Sequence, residues 1–295
     1  MAIPPAPDDR SPAEYLEFGV IVIDKPAGPT SHQVGNWVAD IVDVERAGHM
    51  GTLDPEVTGC LPVLLGRGTR LTEVLSGGVK EYVAVLELHG EPPADWRDRV
   101  QDFEGEIYQK PPRKSAVSRR LRTRTIHELD VLERDHRQVL LRIRCAAGTY
   151  IRKLCHDLGL ILGTGGHMAA LRRTESEPFR DIDAVTLHDL IDGVAFWQEE
   201  DDAEAVDGII RPAEDAIAHL PTVIISENTA EAVAEGAPVY APGVIEVDDE
   251  AISNIDATPR VVCTNPAGSA ICIGRLVNDP AEISGTVVEL ERVLV

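Results

Sequence analysis

Residues 46–60 read RAGHMGTLDPEVTGC, and neither a helical nor a strand period runs through them. Three glycines, one proline and two threonines in this stretch describe a structured loop. Its flanks set the architecture. Upstream, GVIVID (19–24) reads as a buried strand closed by Lys25-Pro26. Then Val34, Trp37, Val38, Ile41 and Val42 recur at i, i+3, i+4, i+7 and i+8, one apolar helical face. Downstream, CLPVLLG (60–66) and EYVAVLELHG (81–90) read as strands. A long loop rich in specific residue types, set between such elements, is where function tends to sit.

Further out, VLLRIRC (139–145) alternates Leu141, Ile143 and Cys145 with Arg142 and Arg144, a strand with one basic face. In YIRKLCHDLG (150–159), Ile151, Leu154, Cys155 and Leu158 share a helical face and Gly159 is the stop. Thr186 and Asp189 form a capping-box start for another helix. From about Asp192 to Asp215 the chain is acidic and reads as loop or linker. Beyond Leu220, TVIIS, PVYAPGVIEV, RVVCT, SAICIGRLV and TVVELERVLV alternate with turns, and one short helix lies near NTAEAVAEG. That spacing describes a small β-barrel-like domain. The expected organisation is a Pro-rich extension (1–17), a main domain (18–216) and a β-rich domain (217–295), α+β overall.

The 295 residues carry 50 Asp+Glu against 28 Lys+Arg, a net charge of −22, which argues against a nucleic-acid partner. The charge is uneven, however. Residues 46–180 hold 22 basic and 18 acidic residues, and the rest hold 6 and 32. KPPRKSAVSRRLRTR (110–124) has seven basic residues and no acid, against the bias of the whole chain. It reads as a mobile arm for an anionic partner. The acidic remainder, with 5 Lys against 23 Arg, fits a protein kept soluble by surface carboxylates at high salt. The N-terminus has no signal-peptide pattern and no apolar run is long enough to span a bilayer, so a cytoplasmic, membrane-free protein is expected. Five scattered cysteines suggest buried thiols rather than disulfides or zinc.

Several common engines are absent: no GxxxxGK[ST], no GxSxG, no HExxH, and no metal spacing among His49, His127, His136, His156 and His167. What remains is Asp54, held before a proline in a Gly-rich loop. On spacing alone an Asx-turn residue is the simpler reading. Arg152, in the first turn of its helix, is either a solvated cation or an aspartate's partner. Tyr82 is either strand packing or a stacking ring.

VIVIDKPAGPTSHQV, AGHMGTLDPEVTG, LGRGTRL, KEYVAVLELHG, AGTYIRKLCHDLG and GHMAALRRTESEPF occur in this order. Together they resemble the TruB/dyskerin family of pseudouridine synthases, and more closely its archaeal branch, the catalytic subunit of box H/ACA guide-RNA particles. The resemblance is dense over about residues 16–196, and the β-rich end resembles the family's RNA-binding PUA domain more weakly. It implies a mixed, mainly antiparallel sheet flanked by helices, with a cleft across its middle. It implies Asp54 as nucleophile, Tyr82 stacking on the target base and Arg152 pairing with the aspartate. Leu154 would pack against the flipped nucleotide with Tyr150 beside it, and His32 would fill the space of the extruded base. Leu171, Arg172 and Arg173 would lie near the phosphates. Residues 110–124, with Lys110, Lys114, Arg119 and Arg120, would be a thumb loop closing over RNA. Neither metal nor cofactor is implied, because detaching, turning and reattaching uridine involves no redox step, and a carboxylate can form the covalent intermediate. The implied partners are substrate RNA (rRNA or tRNA), a box H/ACA guide RNA and small H/ACA proteins. The alternative is a stand-alone enzyme for the tRNA T-loop uridine, and a non-catalytic RNA scaffold is a third reading. Departures from the family pattern are the acids at Glu56 and Glu175–Glu177. Another is the β-rich end, with three Arg against twelve acids over 217–295.

Overall fold

The computed structural model describes residues 3–75, 77–111 and 120–295. The chain runs α1 (Pro12–Glu17), β1 (Phe18–Lys25), α2 (Ser31–Val42), β2 (Ala47–His49), β3 (Thr58–Gly66), α3 (Thr72–Leu75), β4 (Lys80–Leu88) and α4 (Trp96–Gln101). It continues through β5 (Gly105–Gln109), β6 (Arg122–Asp135), β7 (Gln138–Cys145), α5 (Ile151–Ile161), β8 (Gly166–Ser176), β9 (Phe179–Arg180), α6 (Leu187–Glu200) and β10 (Arg211–Pro212). The last part is β11 (Thr222–Ile225), α7 (Glu227–Ala234), β12 (Val239–Tyr240), β13 (Val244–Val247), α8 (Asp249–Ser253), β14 (Arg260–Thr264), β15 (Ala270–Leu276) and β16 (Thr286–Val293). The fold is α+β, as expected. The acidic stretch from Asp192 differs from expectation. Leu190, Gly193 and Val194 bury one face, so α6 continues to Glu200 before the loop begins.

The main sheet has the order β10-β1-β3-β8-β4-β7-β6-β5, with β2 on β3 and β9 on β8. Its ladders are antiparallel except between β3 and β8, which meet in parallel over only Thr58↔Arg172 and Gly59↔Arg173. The sheet is therefore two halves joined at a short seam, and the 46–60 loop sits at that seam. At Gly59 (φ +102°) a side chain would collide with the Arg173 carbonyl, so the close approach of the halves requires glycine there.

β1 and β3 are buried on both faces, which explains their unbroken apolar runs. Ile21, Ile23, Leu61, Val63 and Leu65 pack on Val34, Val38 and Val42 of α2 and on Leu190 and Val194 of α6. On the other face, Val20, Val22, Cys60 and Leu64 share a core with Val262, Ala270, Ile273 and Leu294 of the C-terminal part. α2 starts where Thr30 and Gln33 cap each other: Gln33 N donates to Thr30 Oγ1 at 3.1 Å and Thr30 N to Gln33 Oε1 at 2.9 Å. The other half-sheet buries Leu86, Leu141 and Ile143 against Leu154, Cys155 and Leu158 of α5.

The second sheet, β12-β16-β15-β14-β11-β13, is barrel-like and antiparallel except for β11 with β14. Arg70 Nη1 donates to the Val293 and Val295 carbonyls at 3.1 and 3.2 Å, joining it to the main sheet. The N-terminal extension packs here too. Arg10 makes a two-pronged pair with Glu214 at 2.8 and 2.9 Å, and Ser269 Oγ donates to the Pro4 and Pro5 carbonyls. Among the described residues no helix is long and apolar enough to cross a membrane.

Candidate active site

The loop between β2 and β3 presents Asp54 outward, its side chain 57% exposed, while Leu53 and Val57 on either side are buried. Five residues fix that shape. The fully buried Lys25 places Nζ 2.9 Å from each of the Pro26, Pro55 and Val57 carbonyls, and burial pulls its pKa down. The buried Ser31 hydroxyl donates to the Leu53 carbonyl at 3.1 Å and accepts from Leu53 N at 2.8 Å. Gly28 N also donates to the Pro55 carbonyl, and Val57 N to that of Asp54, at 2.9 and 3.0 Å. From the far side of the seam, Arg173, 1% exposed, donates to the carbonyls of Cys60 (2.8 Å), Met50 (3.3 Å) and Gly51 (3.1 Å).

Across the cleft, α5 brings Arg152 onto Asp54, and the two form a hydrogen-bonded ion pair. Arg152 is 52% exposed, so the pair faces solvent rather than a dry pocket in this state. The helix start is fixed by Gln109, whose amide accepts from Tyr150 N at 2.9 Å and donates to the Tyr150 carbonyl at 3.2 Å. Tyr82, half-buried on β4, lies directly across from Arg173 in the β4–β8 ladder. Burial pushes its phenol pKa up, and hydrogen bonding by the Arg173 guanidinium acts the other way. His32 is exposed at the start of α2, next to the anchoring Ser31.

Three expectations change. Leu154 is wholly enclosed in the α5 core, so it does not face the cleft. An apolar residue on a buried helical face gives one sequence pattern, whatever it packs against. Arg173 is not free to meet a phosphate, because its guanidinium holds the Asp54 loop. Arg172 is engaged with Asp24 at 2.8 Å and Asp181 at 3.1 Å, so phosphate contact would require it to leave these partners. Leu171 is partly buried against the same core as Leu154. Lys110 and Arg120 are exposed; Lys114 and Arg119 lie outside the described residues.

Sequence reasoning passed over Lys25, Ser31, Lys80 and His49. The His49 Nδ1 is buried without a hydrogen-bond partner, and burial, then His32, then Arg173 push its pKa down. Burial likewise brings Lys80 down to about 8. Buried cations carry no sequence signal, although KP before a turn and KEY before a strand flank the two sides of the cleft. Among the described residues no three His, Cys, Asp or Glu side chains gather as a metal ion would require. Chemically, the site offers one solvent-facing carboxylate on an anchored loop and a guanidinium that orients it, and such a carboxylate can act as a nucleophile.

Residues 39–151 match the TruB family pseudouridylate synthase N-terminal domain and 152–218 the tRNA pseudouridylate synthase B C-terminal domain. Residues 5–35 match the DKCLD (NUC011) domain and 221–294 the PUA domain. The chain is 56% identical to a probable tRNA pseudouridine synthase B of Halobacterium salinarum, with 100% of both chains covered. It is 49% identical to one of Pyrococcus abyssi, covering 82% of this chain and 73% of that one. A Cbf5-Nop10-Gar1 complex contains a chain with 41% identity and a TM-score of 0.92, covering 99% of this chain and 90% of that one. An H/ACA RNP bound to a substrate RNA containing 2'-deoxyuridine contains another, with 40% identity, a TM-score of 0.89 and coverage of 98% and 89%. The chain belongs to the TruB family of pseudouridine synthases, in its Cbf5-like archaeal branch with DKCLD and PUA domains, and is an RNA-modifying isomerase.

Proposed function

We propose that this protein isomerises specific uridines in structured RNA, chiefly ribosomal RNA, as the catalytic subunit of a guide-RNA particle with small protein partners. The likeness over nearly the whole chain to a subunit crystallised with Nop10 and Gar1 carries this reading. In it, Asp54 is the nucleophile, Arg152 orients it, Tyr82 stacks on the base, and His32 stands where the extruded base leaves space. Flipping the target costs a few kcal/mol, which stacking and gap-filling partly offset. Tyr150, Leu171 and Arg172 line the nucleotide, Arg173 positions the loop, and Lys110, Lys114, Arg119 and Arg120 form the arm closing on RNA. The extension, main domain and β-rich domain divide near residues 17 and 216.

The names of the curated relatives favour a second reading, a stand-alone enzyme for tRNA. One assay separates the two. Purified protein is incubated with T-loop RNA, and separately with an rRNA fragment, with and without guide RNA and partners, and pseudouridine is scored. Conversion of rRNA only with the guide supports the first reading. T-loop conversion without it supports the second, and tight binding without any conversion supports a scaffold.

A further inference from the structure

Lys80 is a buried cation that the direct chemistry of the site leaves unused. It is 4% exposed, and its Nζ donates to the Gly78 carbonyl at 3.1 Å. Arg173 lies beside it, 1% exposed. Neither is ion-paired with a carboxylate among the described residues. Glu177, the acid nearest in sequence on β8's side, instead accepts from Val79 N at 2.7 Å. Buried charges are normally paired, so two adjacent unpaired cations need an explanation.

Their placement supplies one. Lys80 pairs across the ladder with Ser176 and Tyr82 with Arg173, because a bulge after Glu81 realigns β8. All four side chains therefore lie on one face of the sheet. Both cations end at Gly51: a Cβ there would sit 3.1 Å from Arg173 Nη1 and 3.6 Å from Lys80 Cε. Gly51 is three residues before Asp54. The pair therefore lies against the loop that carries Asp54, with Tyr82 on the same face of the sheet.

Isomerisation moves ribose C1′ from N1 to C5 of uracil. Either the N1–C1′ bond breaks with its electron pair on uracil while Asp54 holds C1′, or Asp54 adds at C6. On both routes negative charge gathers on the uracil ring before the C5–C1′ bond forms. In the product C5 has lost a proton and N1 has gained one, so no co-reactant is needed. We propose that Lys80, together with Arg173, supplies a preorganised positive potential that stabilises this negative charge; the proposal rests on the function given above. At an effective dielectric of about 20 a unit charge about 10 Å away changes a rate about tenfold.

Lys80 is faced by Arg173 from β8, Glu177 just after it, Cys60 from β3, Cys145 from β7 and His219 from the segment before β11. Burial first, then Arg173, brings its pKa to about 8, while Glu177 acts the other way. The ammonium is therefore retained at neutral pH and lost as pH rises through about 8.

The test measures pseudouridine formation by wild type, Lys80→Met and Lys80→Arg between about pH 6.5 and 9.5, with kcat and KM resolved. The expected result is a kcat about tenfold lower in Lys80→Met with KM unchanged. The alkaline fall of kcat/KM near pH 8 disappears in that variant, and Lys80→Arg keeps its rate to the top of the range. An active wild type beside a Lys80→Met with unchanged kcat, or a Lys80→Arg as slow as Lys80→Met, overturns the proposal. An inactive wild type overturns the function it rests on, and the proposal with it.

Discussion

Lys25 holds Pro55: its buried ammonium donates to the Pro55 carbonyl at 2.9 Å, one residue beyond Asp54. The same nitrogen serves Pro26 and Val57, so one side chain ties together three carbonyls of the two turns. Lys25→Met will destabilise the fold by about 3 kcal/mol, since those carbonyls lose a buried donor. Turnover will fall about 100-fold, more than RNA binding, because a shift of about 1 Å at a nucleophile costs that much. Lys25→Arg will not rescue it, because a planar fork cannot converge on three carbonyls. Denaturant unfolding and turnover check this, and wild-type turnover in Lys25→Met would show that the loop holds itself.

The Arg152–Asp54 pair is half exposed, so its worth lies in orientation, not stability. Arg152→Ala will change unfolding free energy by less than about 1 kcal/mol while lowering kcat by about 100-fold or more. Near-normal rates would reduce Arg152 to a surface charge.

Lys80 also makes stability pH-dependent in a calculable direction. Its folded pKa is about 8 against an ordinary 10.5, so the unfolded chain binds the extra proton between those values. The cost of burying the charge is fully present below about pH 8 and fades as pH rises toward 10.5. Relative to Lys80→Met, wild type will therefore gain roughly 3 kcal/mol over that window, and the variant will be no less stable at pH 7. Paired melts across pH measure the difference; a flat difference would mean that Lys80 keeps its ordinary pKa in the fold.

Net charge −22 sets the solvent dependence. Raising salt from about 0.01 to 1 M shortens the Debye length from roughly 30 to 3 Å and screens carboxylate repulsion. Unfolding in dilute buffer and recovery in molar salt are expected in circular dichroism, and indifference to salt would remove the salt-adapted reading.

Much of this was legible in residue order. The Val34, Val38 and Val42 stripe placed α2, Thr186 marked the start of α6, and the aperiodic 46–60 stretch marked the site. The rest depended on the third dimension. Leu154 shows a helical face, but only packing decides whether that face meets core or cleft. Adjacent Arg172 and Arg173 look interchangeable. Alternation on β8 sends one to Asp24 and Asp181 and the other beneath the Asp54 loop. Lys25 and Lys80 count as ordinary charges in composition, and only the fold buries them.

The central claim is that Asp54, presented by this anchored loop, is the nucleophile of a pseudouridine synthase. The most direct measurement is pseudouridine yield from a guide-assembled particle carrying Asp54→Asn, alongside its RNA affinity and melting temperature. The predicted result is no detectable pseudouridine, with RNA binding and stability close to wild type. Continued conversion by the Asn variant would contradict the account.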